Sequence, residues 1–140
     1  MGFQEKMAWA MTAILVVTGI LYYSWVFYLA GELGQLPPPL LPFIIVYVVL
    51  VVVAAIIAAV GIAVSNPSEA QASLDEREKI IQFKGEAWSS KAFGFLVLCA
   101  LLDFSLSGNG NRLFHSVFAA LMISQIAEYG LQIFFLRRGI

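Results

Sequence analysis

Four long apolar stretches, separated by short polar segments, dominate the chain. They cover about residues 7–30, 43–64, 87–107 and 113–136. Each is close to the ~20 residues that an α-helix needs to cross the hydrocarbon core of a bilayer. Because lipid offers the backbone no hydrogen-bond partners, spanning segments of this kind form helices. The pattern predicts an all-α integral membrane protein with four transmembrane helices, organised as a single membrane domain over residues 1–140.

Composition supports this interpretation and excludes several others. The chain has 140 residues, of which 61% are hydrophobic and 12% charged, and its formal net charge is −1. So little polar surface is untypical of a soluble domain. The absence of a positive excess argues against a nucleic-acid partner, and the lipid bilayer is the expected environment. The first apolar stretch is too long for a signal peptide, and no small-residue cleavage site follows it.

The segment between the second and third spans is the longest polar one. Asn66-Pro67 ends the second span. Ser73 and Glu76 match a capping box, with Ser73 as N-cap. The apolar positions that follow predict an amphipathic cytoplasmic helix that leads into the third span, and Gly85 predicts a bend in it.

The basic residues predict the orientation. Seven fall on one side of a four-span topology, and Arg112 alone falls on the other. The seven are Lys6, Arg77, Lys79, Lys84, Lys91, Arg137 and Arg138. Positive residues concentrate on the cytoplasmic side of membrane proteins. Both termini are therefore expected in the cytoplasm.

Glu128 is the most unusual residue, because it interrupts the fourth span. Gln125 and Gln132 share its helical face. An ionisable group at this depth is costly unless it is paired or protonated. An ion pair with Lys91 is the expected structural role, since the hairpin of the last two spans brings them near each other. The alternative is a proton or cation site.

A second polar group surrounds the outer turn between the third and fourth spans. It contains Asp103, Arg112 and His115, and is expected to be an interfacial charge group that closes the hairpin. A pH-sensing role for His115 is the alternative. Cys99, the single cysteine, lies in an apolar run, so we expect it to pack against apolar neighbours. No metal-ligand cluster, cofactor motif or catalytic constellation is recognisable, so we expect no metal, no cofactor and no enzymatic activity.

The polar segment 73–91 also carries a family resemblance. Asp75, Glu76 and Arg77, followed by Lys84 just before a span, resemble a juxtamembrane motif of small prokaryotic multi-span membrane proteins of unknown function. Some members of such families are thought to work beside cytoplasmic helix-turn-helix regulators. The resemblance implies a juxtamembrane element formed by these four residues and a location in a prokaryotic inner membrane.

These features predict a non-enzymatic membrane protein, an accessory or regulatory subunit that docks a membrane or cytoplasmic protein through residues 73–91. A solvated helix with internal salt bridges is the alternative for that segment. A small transporter or channel using Glu128 is the second functional alternative, and a homo-oligomer is expected for it because four short spans enclose little volume. A structural component of a larger membrane complex is the third.

Overall fold

The computed structural model describes residues 2–138, and within this range the chain is helical apart from short links. Four of its helices are long and apolar enough to cross a membrane, which confirms the predicted number of spans. The helices are α1 (Phe3–Leu33), α2 (Leu41–Ser65), α3 (Pro67–Gln71), α4 (Glu76–Ser107) and α5 (Gly110–Arg138).

The four long helices do not pack equally. α4 lies along α5, α5 lies along α1, and α1 lies along α2. α2 is at the edge of the helix bundle and contains no buried residue. The buried apolar side chains come from the other three helices: Ala8, Leu15, Val26, Ile81, Ala100, Ala120, Met122 and Ile133. The outward Val, Ile, Leu and Phe side chains remain exposed, as expected for helices that face lipid.

The capping box of α4 differs in register from the predicted one. Asp75, and not Ser73, is the N-cap: its Oδ1 accepts a hydrogen bond from the Glu78 backbone N–H at 2.7 Å. Glu78 completes the box, since its Oε2 accepts from the Asp75 backbone N–H at 3.2 Å. Asp caps as well as Ser does, and both have Glu three residues later. The sequence therefore allowed two registers, and the later one forms.

The segment predicted to form a separate amphipathic helix before the third span is the first part of α4. This helix runs 32 residues without interruption from Glu76 to Ser107. Its early turns pack inward, because Ile81 is only 1% exposed and Gly85 is buried. Gly85, predicted as a bend, is instead a point of close approach to α5. A Cβ at this position would lie 3.1 Å from Cγ of Gln132 and 3.2 Å from the Glu128 carbonyl oxygen.

Contacts between distant parts of the chain define the two ends of the helix bundle. At one end, Nε of Arg137 lies 2.9 Å from Oε1 of Glu5, and Nε2 of Gln82 donates to Oε1 of Gln4. We call this the basic end; it holds the beginning of α1, the α2–α4 link and the last turn of α5. The opposite, hairpin end contains the α1–α2 loop and the two-residue α4–α5 turn, where Gly108 adopts the left-handed conformation (φ 66°) that favours glycine.

Candidate cation-binding cavity

A cavity of about 600 Å³ lies in the half of the protein nearer the basic end. All four long helices line it. Its apolar wall comes from α1 and α2, and its polar wall comes mainly from α4 and α5. The polar lining residues are Gln4, Gln82, Glu86, Glu128, Tyr129 and Gln132.

Helical spacing places these polar groups opposite one another. Gln82 and Glu86 are four residues apart on α4, and Glu128 and Gln132 are four residues apart on α5. Residues at this spacing share a helical face. Gly85 allows the two helices to meet closely, with the backbone of Glu128 and the side chain of Gln132 directly against it. The close approach brings both acid–amide pairs to one cavity.

Most of the polar groups in the cavity have no protein partner. The hydrogen bond between Gln82 and Gln4, at 3.1 Å, is the exception. Within residues 2–138, the carboxylates of Glu86 and Glu128 form neither a salt bridge nor a hydrogen bond. The Gln132 side chain is only 8% exposed, lines the cavity and likewise has no hydrogen-bond partner in this range. The amide atoms of Gln132 keep access to the cavity, since Nδ1 of His115 is the fully buried side-chain atom without a partner among the described residues, so these groups are available to bind a ligand.

The cavity lining carries two acidic side chains and no basic one. Glu86 is exposed and Glu128 is partly buried on the apolar part of α5. The nearby Arg137 is already paired with Glu5. Two acidic groups that share one cleft concentrate negative potential there and attract cations.

The ion pair predicted between Lys91 and Glu128 does not form. Nζ of Lys91 instead lies 5.1 Å from the ring centroid of Trp88. Lys91 follows Glu86 by five residues, which turns it about 140° around α4 and away from the cavity. Its aliphatic chain returns towards the basic end, as expected of a lysine inside a membrane helix.

The predicted polar cluster is only partly brought together. Glu128 and Gln132 line the cavity, whereas Gln125 is exposed and lies outside its lining. Sequence reasoning missed Glu86 as the second acid, because it comes just before the predicted start of the third span. The signal that could have revealed it is the spacing of Gln82, Gly85 and Glu86, which places two polar side chains beside a glycine on one face of α4.

Three of the four residues of the juxtamembrane motif have contacts within the fold. Asp75 caps α4. Nη2 of Arg77 donates to the Leu136 carbonyl oxygen at 2.9 Å, near the end of α5. Lys84 lies with Nζ 5.9 Å from the Phe135 ring centroid. Glu76 is exposed in the first turn of α4.

The outer-turn group divides into two separate arrangements. Arg112 and Asp103 form an ion pair, with Nη2 2.9 Å from Oδ1. His115 is buried elsewhere: its Nε2 lies 2.8 Å from the Pro37 carbonyl oxygen, and its buried Nδ1 has no partner among the described residues. The hydroxyl of Tyr23 donates to the His115 carbonyl oxygen at 2.7 Å. His115 therefore fastens the α1–α2 loop to α5.

The described residues hold no group of three or more His, Cys, Asp or Glu side chains placed to bind a metal ion. Cys99 is exposed on α4. The fold and the cavity together define the class of this chain, a multi-pass α-helical membrane protein with a partly polar interior. No protein family, no curated protein and no solved structure matches it.

Proposed function

We propose that this protein is a small membrane carrier that binds an organic cation between Glu86 and Glu128. One observation carries the proposal. Two carboxylates without ion-pair partners share a cavity with the amide of Gln132, which is 8% exposed and has no hydrogen-bond partner among the described residues.

The cavity's size and chemistry favour an organic cation over a bare metal ion. A volume of about 600 Å³ is in the range of sites that enclose small organic molecules. Carboxylate and amide oxygens accept hydrogen bonds from ammonium groups, and an ionised acceptor makes each bond stronger. The apolar wall, with Met7, Met11 and Ile56, suits the carbon chain of such a ligand.

We place the basic end in the cytoplasm, because it holds most of the positive residues, and the protein in a prokaryotic inner membrane. The cavity then faces the cytoplasmic half of the bilayer. α2 contributes Ala55, Ile56 and Ala59 to its wall and otherwise packs on α1. A shift of this edge helix is the simplest way to open the cavity towards the opposite side.

Counterflow in proteoliposomes tests the proposal. Vesicles loaded with unlabelled putrescine, a divalent organic cation, should accumulate radiolabelled putrescine when they contain the wild-type protein. Glu128→Gln and Glu86→Gln should abolish this exchange, because each removes one charge from the cavity. Glu32→Gln is the matched control, since Glu32 is exposed near the end of α1 at the hairpin end. Absence of wild-type exchange, or equal exchange in all variants, would contradict the carrier proposal.

A regulatory subunit is the second candidate, and one observation favours it. Ile80 and Phe83 on the early turns of α4 are 52% and 71% exposed beside charged side chains. Neighbouring apolar residues that form an exposed patch rimmed by polar ones are typical of a docking site, and Ile80 and Phe83 are three residues apart on one helical face. Purification from native membranes should then recover a stoichiometric partner that Phe83→Ser releases. Recovery of the wild-type chain alone would contradict this candidate.

A further inference from the structure

A second groove lies between α4 and α5, on the side away from the acidic cavity. Its volume is about 530 Å³. Six residues line it, three from each helix: Lys84, Trp88, Ala92, Ala127, Leu131 and Phe135. Ala92, Ala127 and Leu131 form an apolar floor. Lys84 supplies a charged group where the groove approaches the basic end of the protein. We propose that this groove binds an anionic phospholipid of the surrounding bilayer.

Three cations lie in or near this groove: Lys84 lines it, Lys91 lies over the lining residue Trp88, and Arg138 lies over Phe134, the chain neighbour of the lining residue Phe135. Lys84 lies 5.9 Å from the Phe135 ring centroid, Lys91 lies 5.1 Å from that of Trp88, and the guanidinium carbon of Arg138 lies 5.1 Å from that of Phe134. None of the three forms a salt bridge within the described residues, where the ion pairs are Arg112–Asp103 and Arg137–Glu5. Within residues 2–138, their positive charge is therefore not neutralised by an ion pair.

No acidic residue lines the groove. Glu86, only two residues from Lys84, lines the cavity instead, because two residues turn an α-helix by about 200°. Glu128 also lines the cavity. The unbalanced positive charge complements a headgroup with a net negative charge, such as that of phosphatidylglycerol. A zwitterionic headgroup would bring its own cation to the same place.

The groove combines a charged end with an apolar floor, which suits a lipid and not a free anion. Lys91 lies seven residues beyond Lys84, about 10 Å further along α4, yet its ammonium returns towards Trp88. Tryptophan is typical of the headgroup region of a bilayer. The phosphate would lie against the ammonium groups at this level. Beyond it, the floor of small and apolar side chains from Ala92 and Ala127 leaves room for an acyl chain.

Trp88 provides a direct probe, because it lines the groove. The chain has three tryptophans. Trp88 is therefore the one that remains in a Trp9→Phe, Trp25→Phe variant. The protein is reconstituted into phosphatidylcholine vesicles that contain a minor fraction of brominated lipid, which quenches nearby tryptophan fluorescence. Brominated phosphatidylglycerol should quench Trp88 more strongly than brominated phosphatidylcholine does, with roughly fivefold tighter association per cation at low salt. High salt should reduce the difference.

Variants distinguish the groove from a general attraction to the protein's charges. Lys84→Gln with Lys91→Gln should remove the preference for phosphatidylglycerol. Lys79→Gln is the matched control, since Lys79 is an exposed cation on α4 outside the groove lining, and it should keep the preference. If the two brominated lipids quench Trp88 equally in the protein with all its lysines intact, the proposal is overturned. A preference that survives the double substitution in a folded, helical protein would also overturn it.

Discussion

The two sides of the α4–α5 pair have opposite chemistry. On one side, Glu86 and Glu128 line a cavity that contains no basic residue. On the other, Lys84 lines a groove that contains no acidic residue, with the ammonium of Lys91 held beside it over Trp88. Charges that are nearly balanced along the sequence are thus separated by helical face. The net charge of a mixed segment can therefore conceal two sites of opposite sign.

Gly85 lies at the contact between the two helices, and changing it should have the largest effect. Gly85→Leu should destabilise the protein by about 3 kcal/mol, because its side chain must displace Gln132 and the Glu128 backbone. Thermal unfolding in detergent measures the loss of stability. The same variant should also lose both cation binding and the preference for phosphatidylglycerol. Gly94→Leu is the matched control on the same helix, since a Cβ there has no atom within 4 Å. Equal stability of the two variants would contradict the close packing at Gly85.

A crossed pair of charge variants should show that the two sides act independently. Glu86→Gln with Glu128→Gln should weaken cation binding roughly 100- to 10,000-fold, since hydrogen bonds to charged groups contribute about 1.5–3 kcal/mol each. The same variant should keep its preference for phosphatidylglycerol. Lys84→Gln with Lys91→Gln should have the converse effects. If either double variant lost both properties while remaining folded, the separation of the two sides would be wrong.

The Glu128→Gln variant alone should be slightly more stable than the wild type. In the structure its carboxylate has no ion pair or hydrogen bond among the described residues, and Glu86 lines the same cavity. Neutral Gln removes the repulsion between these acids, which is worth about 1 kcal/mol or less at a partly exposed site. Thermal unfolding without added cation measures the change. A clear loss of stability would instead indicate a structural partner for Glu128.

The ion pair at the hairpin end should matter least. Arg112 and Asp103 are 53% and 33% exposed, and exposed pairs contribute about 0.2–1 kcal/mol. A double-mutant cycle with Arg112→Ala and Asp103→Asn measures their coupling energy. Neither substitution should change cation binding or lipid preference, because both residues are distant from the basic end. An effect on either property would link the two ends of the protein.

The spans could be predicted because their signal is long and repeated. Four apolar stretches, a polar segment and a turn of small polar residues are sufficient to place α1, α2, α4 and α5. Helix ends were less certain. Ser73 and Asp75 each have Glu three residues later, and sequence alone does not choose between them.

The cavity could be predicted only in part, because its geometry depends on how α4 rotates against α5. Glu128 was recognisable from its position in an apolar run. Its expected partner, Lys91, required a rotation that Gly85 and Ile81 do not allow, since these buried residues fix the face of α4 towards α5. His115 also looked like part of the outer charge group, but its contact with Pro37 depends on a loop 78 residues away.

Equilibrium binding of radiolabelled putrescine to the wild-type protein in nanodiscs tests the cation site most directly. We predict saturable binding of putrescine. n-Butylamine, a monovalent amine, should displace it less effectively than unlabelled putrescine does, and succinate, an anion, should not displace it. Glu86→Gln with Glu128→Gln should remove the saturable component while Glu32→Gln retains it. Binding that is unchanged in the double variant, or no saturable binding to the wild type, would contradict a cation site formed by Glu86 and Glu128.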